Sequence, residues 1–153
     1  LYRKGQLLNL TGEKTQETAV LAALKNAAGQ WGCDLVDYTT AVDLNGSLGK
    51  YVIFVEVGNS EKITGITSWQ GILQKALEES NPRYRAAVEA RRVEGLQLEV
   101  VQPGTFERLQ RELMLRGASA NQVKVPRVLK DESLISFLSE STLKVGNINE
   151  RKL

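Results

Sequence analysis

The stretch "KYVIFVEVG", Lys50 to Gly58, sets the fold of this chain of 153 residues. Its residues are mostly β-branched or aromatic, and a run that is apolar almost throughout is expected at the centre of a sheet. The preceding run "CDLVDYTTAVD", Cys33 to Asp43, has the same β-branched and aromatic character, and the turn-rich "LNGSLG" joins the two. Two such runs with a turn between them predict an antiparallel pair of strands.

Helical periodicity occurs on both sides of this strand pair. Upstream, apolar residues recur at helical spacing over 20–31, and Thr15 is the candidate N-cap. Downstream, Ser68 is the candidate N-cap of a second helix, and Asn81-Pro82 begins a third helical piece. The sequence therefore predicts one helix before the strand pair and two after it.

Strand and helix alternate again in the last third of the chain. The alternating run "LQLEVV" predicts a half-buried strand, and Pro103-Gly104-Thr105 leads into a helix that ends at Gly117. Asp131 is the candidate N-cap of a last short helix.

Together these elements predict an α+β fold: a two-layer sandwich of a mixed, mostly antiparallel sheet with helices on one side. At the front of the chain, the apolar "QLLNL" and the turn "TGEK" predict an opening β-hairpin. We therefore divide the chain into a hinge and β-hairpin at 1–14, one domain at 15–145 and a polar tail at 146–153.

Composition excludes several functional classes. Twenty basic and eighteen acidic residues leave a formal net charge of +2, which is too balanced to favour nucleic acid or an anionic membrane as a partner. The chain has no histidine and one cysteine, Cys33, so Ser-His and Cys-His nucleophile systems, the usual metal clusters and an intrachain disulfide are excluded. No stretch is apolar enough to span a bilayer, and we expect a reducing, cytoplasmic setting.

Two lysines lie on predicted loops. Lys124 is the one lysine in "GASANQVKVPRVL", and because Pro126 moves Val125 out of the helical region, we expect Lys124 on an extended loop. Lys14 lies in the turn "TGEKT". Either lysine taken alone is more often a solvent-exposed residue, and spacing does not bring the two together.

Four motifs occur in an order and spacing known from one family: "YRKGQLLNLTGEKT", "DYTTAVD" followed by "GKYVIFVEV", "LQLEVVQPGTF" and "RGASANQVKVPR". In these motifs the chain, from Leu1 to about Arg127, resembles the carboxy-terminal domain of the plant auxin-responsive acyl-acid amido synthetases, the Gretchen Hagen family. That family conjugates jasmonate, indole-3-acetate or benzoates to amino acids, and it resembles the wider acyl-adenylate-forming superfamily.

The resemblance implies a two-step ligase reaction in a full-length protein. A carboxylic acid and ATP form an acyl-adenylate and pyrophosphate, and the amine of an amino acid then attacks the carbonyl and releases AMP. A large amino-terminal domain of the same chain would bind ATP, with Mg²⁺, and the acyl substrate. Residues 15–145 would then be a small mobile lid domain, inactive alone, that swings over that site.

The resemblance also assigns roles to residues that match its motifs. Lys124 and Lys14 would be catalytic, because a cation brought in by a closing lid stabilises negative charge on phosphate and carboxylate oxygens. The motifs supply three loop-shaping residues, Val125, Pro126 and Arg127, and three hinge candidates, Arg3, Lys4 and Gly5. Gly5 can absorb a large φ/ψ change.

A hypothesis from a different class stays open at this point. The chain could be a stand-alone, non-catalytic α+β module whose sheet face or helix pair docks a protein partner or regulates it. Under both hypotheses the fragment is not a complete enzyme, since the sequence has no phosphate-cradling glycine loop and no dinucleotide fingerprint.

Overall fold

The computed structural model describes residues 6–8, 15–63, 66–117 and 125–143. The elements in chain order are β1 (Gln6–Leu8), β2 (Thr15–Gln16), α1 (Glu17–Gln30), β3 (Asp34–Asp43), β4 (Lys50–Gly58), a 3-10 helix (Ser60–Lys62), α2 (Ile66–Ser80), α3 (Pro82–Glu89), β5 (Gln97–Val100), α4 (Thr105–Leu115) and α5 (Glu132–Glu140).

The opening hairpin is formed by β1 and β2, which pair antiparallel. Leu8 lies opposite Thr15, so the backbone of Thr15 belongs to a strand and α1 begins two residues later, at Glu17. The prediction of Thr15 as the N-cap of this helix is therefore wrong. The residue types near a helix start do not show whether one of those residues also pairs with a strand.

The main sheet has the strand order β3-β4-β5, and β4 lies at its centre as predicted. β3 and β4 pair antiparallel from Asp34↔Gly58 to Asp43↔Lys50. β5 pairs with β4 in parallel, with Val52 opposite Gln97. The long connection through α2 and α3 returns the chain to the same end of the sheet, which is what a parallel pairing requires. The predicted α+β class and mixed sheet are confirmed.

Helices cover both faces of the sheet, and the prediction of helices on one side is wrong. Along β4, Ile53 and Val55 pack with residues of α1, α2 and α3, whereas Val52 and Phe54 pack with residues of α4 and α5. All residues over 51–57 are buried. A strand that is apolar on both faces must be covered on both faces, so the domain contains an α1–α3 core and an α4–α5 core.

Glu56 breaks the apolar pattern of β4 on the side of the α4–α5 core, where it is 7% exposed. Its Oε2 accepts a hydrogen bond from the N–H of Gly104 at 3.0 Å, and its Oε1 accepts one from the N–H of Phe106 at 2.9 Å. The first N–H groups of a helix have no partner within the helix, and that end carries a partial positive charge. Glu56 therefore caps α4 from the sheet, in place of a side-chain cap at Gly104.

Side chains of α2 close the first part of the outer edge of β5. The N–H of Leu96 donates to Oε1 of Gln74, and the N–H of Leu98 donates to Oε1 of Gln70, both at 2.8 Å. Four residues of helix rise about 6 Å, and two residues of strand span about 6.6 Å. The two glutamines therefore match the spacing of the outward-facing amides of the strand.

The predicted helix ends were mostly confirmed. Asn81 caps α3 by accepting from the N–H groups of Arg83 and Tyr84, and Asp131 caps α5. Gly117 follows the end of α4 with a φ of 104°. Ser68 is not a cap, because α2 already begins at Ile66.

Replacement of Glu56 by alanine tests the link between β4 and α4. We expect Glu56→Ala to lower the free energy of unfolding by about 2 to 3 kcal/mol, because two N–H groups at the start of α4 lose a charged acceptor. Urea denaturation of the 153-residue chain measures the change. Glu99→Ala, at a half-buried glutamate of the neighbouring strand, is the matched control, and an equal effect of the two changes would contradict the capping role.

Candidate functional site

The chain segment 125–129 covers the outer edge of β3. The N–H of Thr40 donates to the carbonyl of Arg127 at 2.9 Å, and the N–H of Leu129 donates to the carbonyl of Thr40 at 2.7 Å. This is the pattern of a short parallel strand added to the sheet. The segment that follows Lys124 in the sequence is therefore fixed by backbone hydrogen bonds.

Two buried threonines hold the same segment through their side chains. The hydroxyl of Thr39 donates to the carbonyl of Pro126, and the hydroxyl of Thr40 donates to the carbonyl of Arg127. Both threonines are 0% exposed, and buried hydroxyls are nearly always hydrogen-bonded. At the start of the segment, Val125 is buried in the α4–α5 core.

Arg127 fastens the segment to the start of β3. Its Nη1 donates to Oδ1 of Asp37 and to the carbonyl of Tyr38, and its guanidinium lies 4.4 Å from the centroid of the Tyr38 ring. The side chain of Asp37 is 20% exposed and that of Arg127 is 36% exposed. A bulge in β3 between Leu35 and Asp37 adds one residue, and such bulges re-aim the side chains that follow.

A cavity of about 390 Å³ opens beside this arginine. It is lined by Glu17, Asp37, Gln110, Val125 and Arg127. Glu17 is the first residue of α1 and lies three residues after Lys14 in the sequence, whereas Val125 directly follows Lys124. The two parts of the chain that flank the predicted lysines therefore meet at one cavity.

A second arginine anchors the chain just before residues 118–124. The guanidinium of Arg116, just past the end of α4, donates to Oδ2 of Asp131 at 3.0 Å and to the hydroxyl of Ser133 at 2.8 Å. This contact ties the end of α4 to the start of α5. Residues 118–124, which lie outside the described residues, are thus preceded and followed by anchored arginines.

The carboxylate of Asp131 is the cap of α5 as well as the partner of Arg116. The hydrogen bond from the hydroxyl of Ser133 and the backbone hydrogen bond from Leu134 lower the pKa of Asp131 from its ordinary value of 3.8. The nearby charge of Arg116 acts in the same direction. The folded chain therefore favours the ionised carboxylate at this position.

The predicted site residues divide into two groups. Val125, Pro126 and Arg127 form the segment that pairs with β3. Five residues lie outside the described residues: Lys124, Lys14, Arg3, Lys4 and Gly5. Sequence reasoning assigned no role to Asp37, because it lies 90 residues before Arg127 and no local motif marks the pair.

A larger groove of about 780 Å³ lies between α5 and the sheet. Carboxylates of Asp43, Glu99 and Glu132 contribute to its lining, together with Lys130. Val125, Pro126 and Arg127, the predicted site residues that the structure describes, do not line it. Within the part of the chain that the structure describes, no group of three or more histidine, cysteine, aspartate or glutamate residues could hold a metal ion. Over the same residues, no helix is long and apolar enough to cross a membrane.

The fold and site define a small α+β domain with the segment 125–129 fastened to its sheet edge. Residues 18–133 match the family model described as the GH3 family C-terminal domain. This chain therefore belongs to the GH3 family, and the resemblance stated from its motifs is confirmed.

Two relatives support the same assignment. The chain is 32% identical over 145 residues to indole-3-acetic acid-amido synthetase GH3.4 of Arabidopsis thaliana, covering 90% of this chain and 24% of that protein. It is 29% identical over 152 residues to the probable indole-3-acetic acid-amido synthetase GH3.2 of Oryza sativa subsp. japonica, covering 92% of this chain and 25% of that protein. The chain thus spans about a quarter of the length of these relatives.

A solved structure has the same architecture. AtGH3.15 acyl acid amido synthetase, in complex with 2,4-DB, superposes with a TM-score of 0.78 at 27% identity. The match covers 92% of this chain and 26% of that one. The α+β fold is therefore that of one part of a longer acyl acid amido synthetase.

The lowered pKa of Asp131 predicts a pH-dependent stability. Because the folded chain favours the carboxylate, the stabilisation is fully present above pH 3.8 and is lost as the pH falls through the lower pKa of the folded state. We expect Asp131→Asn to reduce the thermal unfolding temperature at neutral pH and to have a smaller effect in acid. Glu132→Gln, at the next residue, is the control, and a pH-independent effect of Asp131→Asn would contradict the prediction.

Proposed function

We propose that this chain is the mobile lid domain of an ATP-dependent acyl-acid amido synthetase, which adenylates a carboxylic acid and conjugates it to an amino acid. The observation that carries the proposal is the meeting of Glu17 and Val125 at one cavity, since these residues flank Lys14 and Lys124 in the sequence. Membership of the GH3 family supports it. The isolated lid would be inactive, because its partner is a large amino-terminal domain of the same chain.

The proposed substrates follow from the named relatives. Two of them are indole-3-acetic acid-amido synthetases by name, so we assign this chain to a plant enzyme that acts on a phytohormone-like acid. Jasmonate as an alternative acid and a cytoplasmic location are proposed from the motif resemblance and the composition alone. The residues 1–14 would supply the hinge, with Arg3, Lys4 and Gly5 absorbing the rotation of the lid.

The described residues do not suit a triphosphate. The charged side chains that line the cavity are the carboxylates of Glu17 and Asp37 and the guanidinium of Arg127, which is already bonded to Asp37. Two carboxylates would repel phosphate oxygens. We therefore derive no step through ATP at this cavity, and we assign ATP and Mg²⁺ mainly to the amino-terminal domain.

The contribution of the lid is a positioned cation. Lys124, with Lys14 as its partner, would stabilise the negative charge that develops on the reacting oxygens when the lid closes. Such a cation is effective when its supports are already in place before the reaction. The main-chain pairing of segment 125–129 with Thr40 is a support of this kind.

Replacement of Lys124 in the full-length protein tests the proposal. We expect Lys124→Ala to lower ATP-pyrophosphate exchange or amide formation by roughly a hundredfold to a thousandfold, because one electrostatic donor is lost. The thermal unfolding temperature should stay close to that of the wild type. The half-reaction that is lost shows which step the lysine serves.

Two controls make this result interpretable. Lys130→Ala removes an exposed lysine six residues after Lys124 in the sequence and should leave both half-reactions unchanged. Phe106→Ala should instead destabilise the domain by about 3 to 5 kcal/mol, because it opens a cavity in the α4–α5 core.

Unchanged turnover of Lys124→Ala at saturating ATP would remove Lys124 from the site. A wild-type protein that neither exchanges pyrophosphate nor forms amide, beside active AtGH3.15, would favour the non-catalytic module.

A further inference from the structure

We infer that the cavity of about 390 Å³ is the binding site for the amino acid that the enzyme conjugates. The carboxylates of Glu17 and Asp37 bind its ammonium group. The side chains of Gln110 and Arg127 bind its carboxylate. The inference rests on the proposed function and adds to it a site for one of the substrates, built from described residues that line the cavity.

Two side chains at this cavity, Glu17 and Gln110, are not engaged by the protein. Both are half-buried, and neither side chain has a hydrogen bond or ion pair with any residue that the structure describes. A carboxylate is an acceptor, and a side-chain amide offers both donors and an acceptor. These groups are therefore available to a molecule that enters the cavity.

Asp37 and Arg127 contact each other and keep further capacity for hydrogen bonds. Their contact uses Oδ1 of Asp37 and Nη1 of Arg127, and the same two atoms also serve the N–H and the carbonyl of Tyr38. Within the described part of the chain, Oδ2 of Asp37 and the Nε and Nη2 groups of Arg127 have no partner. The Tyr38 ring lies 4.4 Å from the guanidinium carbon, against the face of the group, so the donors at its edge stay unused.

The four polar side chains reach the cavity from separate parts of the fold. Glu17 begins α1 and Gln110 lies on α4, and these helices cover opposite faces of the sheet. Asp37 lies on β3, and Arg127 lies in segment 125–129. Because both helix layers contribute, the cavity lies at the edge of β3, between those layers. The packing of the whole domain therefore brings these groups together.

An amino acid at neutral pH is a zwitterion, and its two charges complement this lining. Its ammonium group offers three N–H donors, which the two carboxylates can accept. Its carboxylate matches the planar donor edge of an arginine, and the glutamine amide adds another donor. Val125, which is 5% exposed, contributes an apolar surface to the same cavity. The volume of about 390 Å³ lies within the range of small-molecule sites.

Molecules of a single charge suit this lining less well. A carboxylic acid would meet the two carboxylates, and a simple cation would meet the guanidinium. The larger groove beside α5 offers no comparable set of groups, since no arginine is among the described residues that line it. There, Asp43 pairs with Lys50 at 4.0 Å. Glu99 accepts from the side-chain amide of Gln97 at 2.8 Å.

The experiment compares Glu17→Gln and Gln110→Glu with Glu132→Gln in the full-length protein. Glu132 is the matched control, since it is the first residue of α5 as Glu17 is the first residue of α1. The assay uses ATP, the best acid of a panel that includes indole-3-acetate, and the best of the twenty amino acids. We expect both cavity variants to raise KM for the amino acid about tenfold, because a contact to a charged group is lost. ATP-pyrophosphate exchange, which needs no amino acid, and the thermal unfolding temperature should match those of Glu132→Gln.

A second acceptor separates the two ends of the site. The primary amide of the same amino acid keeps the ammonium group and lacks the carboxylate. Glu17→Gln should therefore raise KM for both acceptors by the same factor. Gln110→Glu should raise KM for the free amino acid more than KM for its amide, because the new carboxylate repels only the former.

Three results would contradict the inference. Unchanged KM for the amino acid in both cavity variants would overturn it, while amide formation by the wild type leaves the proposed function standing. A loss of pyrophosphate exchange as large as the loss of amide formation would also overturn it, because the effect would then not be specific to the amino acid. A wild-type protein that forms amide with none of the twenty amino acids, beside active AtGH3.15, would overturn the proposed function and this inference with it.

Discussion

A strand that is apolar on both faces has to be covered on both faces, and β4 imposes this requirement on the domain. Its alternate side chains enter two separate cores, one closed by α1, α2 and α3 and the other by α4 and α5. Glu56 is the one acidic residue of the strand, and its carboxylate lies at the first N–H groups of α4. The same strand therefore positions α4 by charge as well as by apolar contact.

The covering of the sheet edge also builds the candidate site. The outward N–H and carbonyl of Thr40 need partners, and segment 125–129 supplies them. Because Arg127 then reaches Asp37 and Tyr38, the chain near Lys124 is fastened to β3 by main chain and side chain together. The segment is therefore held at the sheet edge by more than one kind of contact.

Residue patterns along the chain predicted much of this fold, but contacts between residues distant in sequence were not predicted. The β3–β4 pair, the Asn81 cap and the Asp131 cap follow from residues adjacent in sequence. The helices on both faces were missed, although the two-sided apolar pattern of β4 was the available signal. Thr15 was misassigned because no local signal shows that it pairs with Leu8, and Asp37 was overlooked because its partner is 90 residues away. Lys14 and Lys124 were selected from their predicted loops, their catalytic roles come from the resemblance, and those roles stay predictions.

The glutamines of α2 have a consequence for the domain as a surface. Without this cover, the N–H of Leu98 in β5 and that of Leu96 just before it would be open to any extended chain nearby, which is how sheets grow from one molecule into the next. The side chains of Gln70 and Gln74 accept hydrogen bonds from these N–H groups. A side chain, unlike a strand, offers no new backbone edge to a further strand. Side chains of α2 thus close the first part of this edge, and the far end of β5 pairs instead with the main chain of residues 141–143.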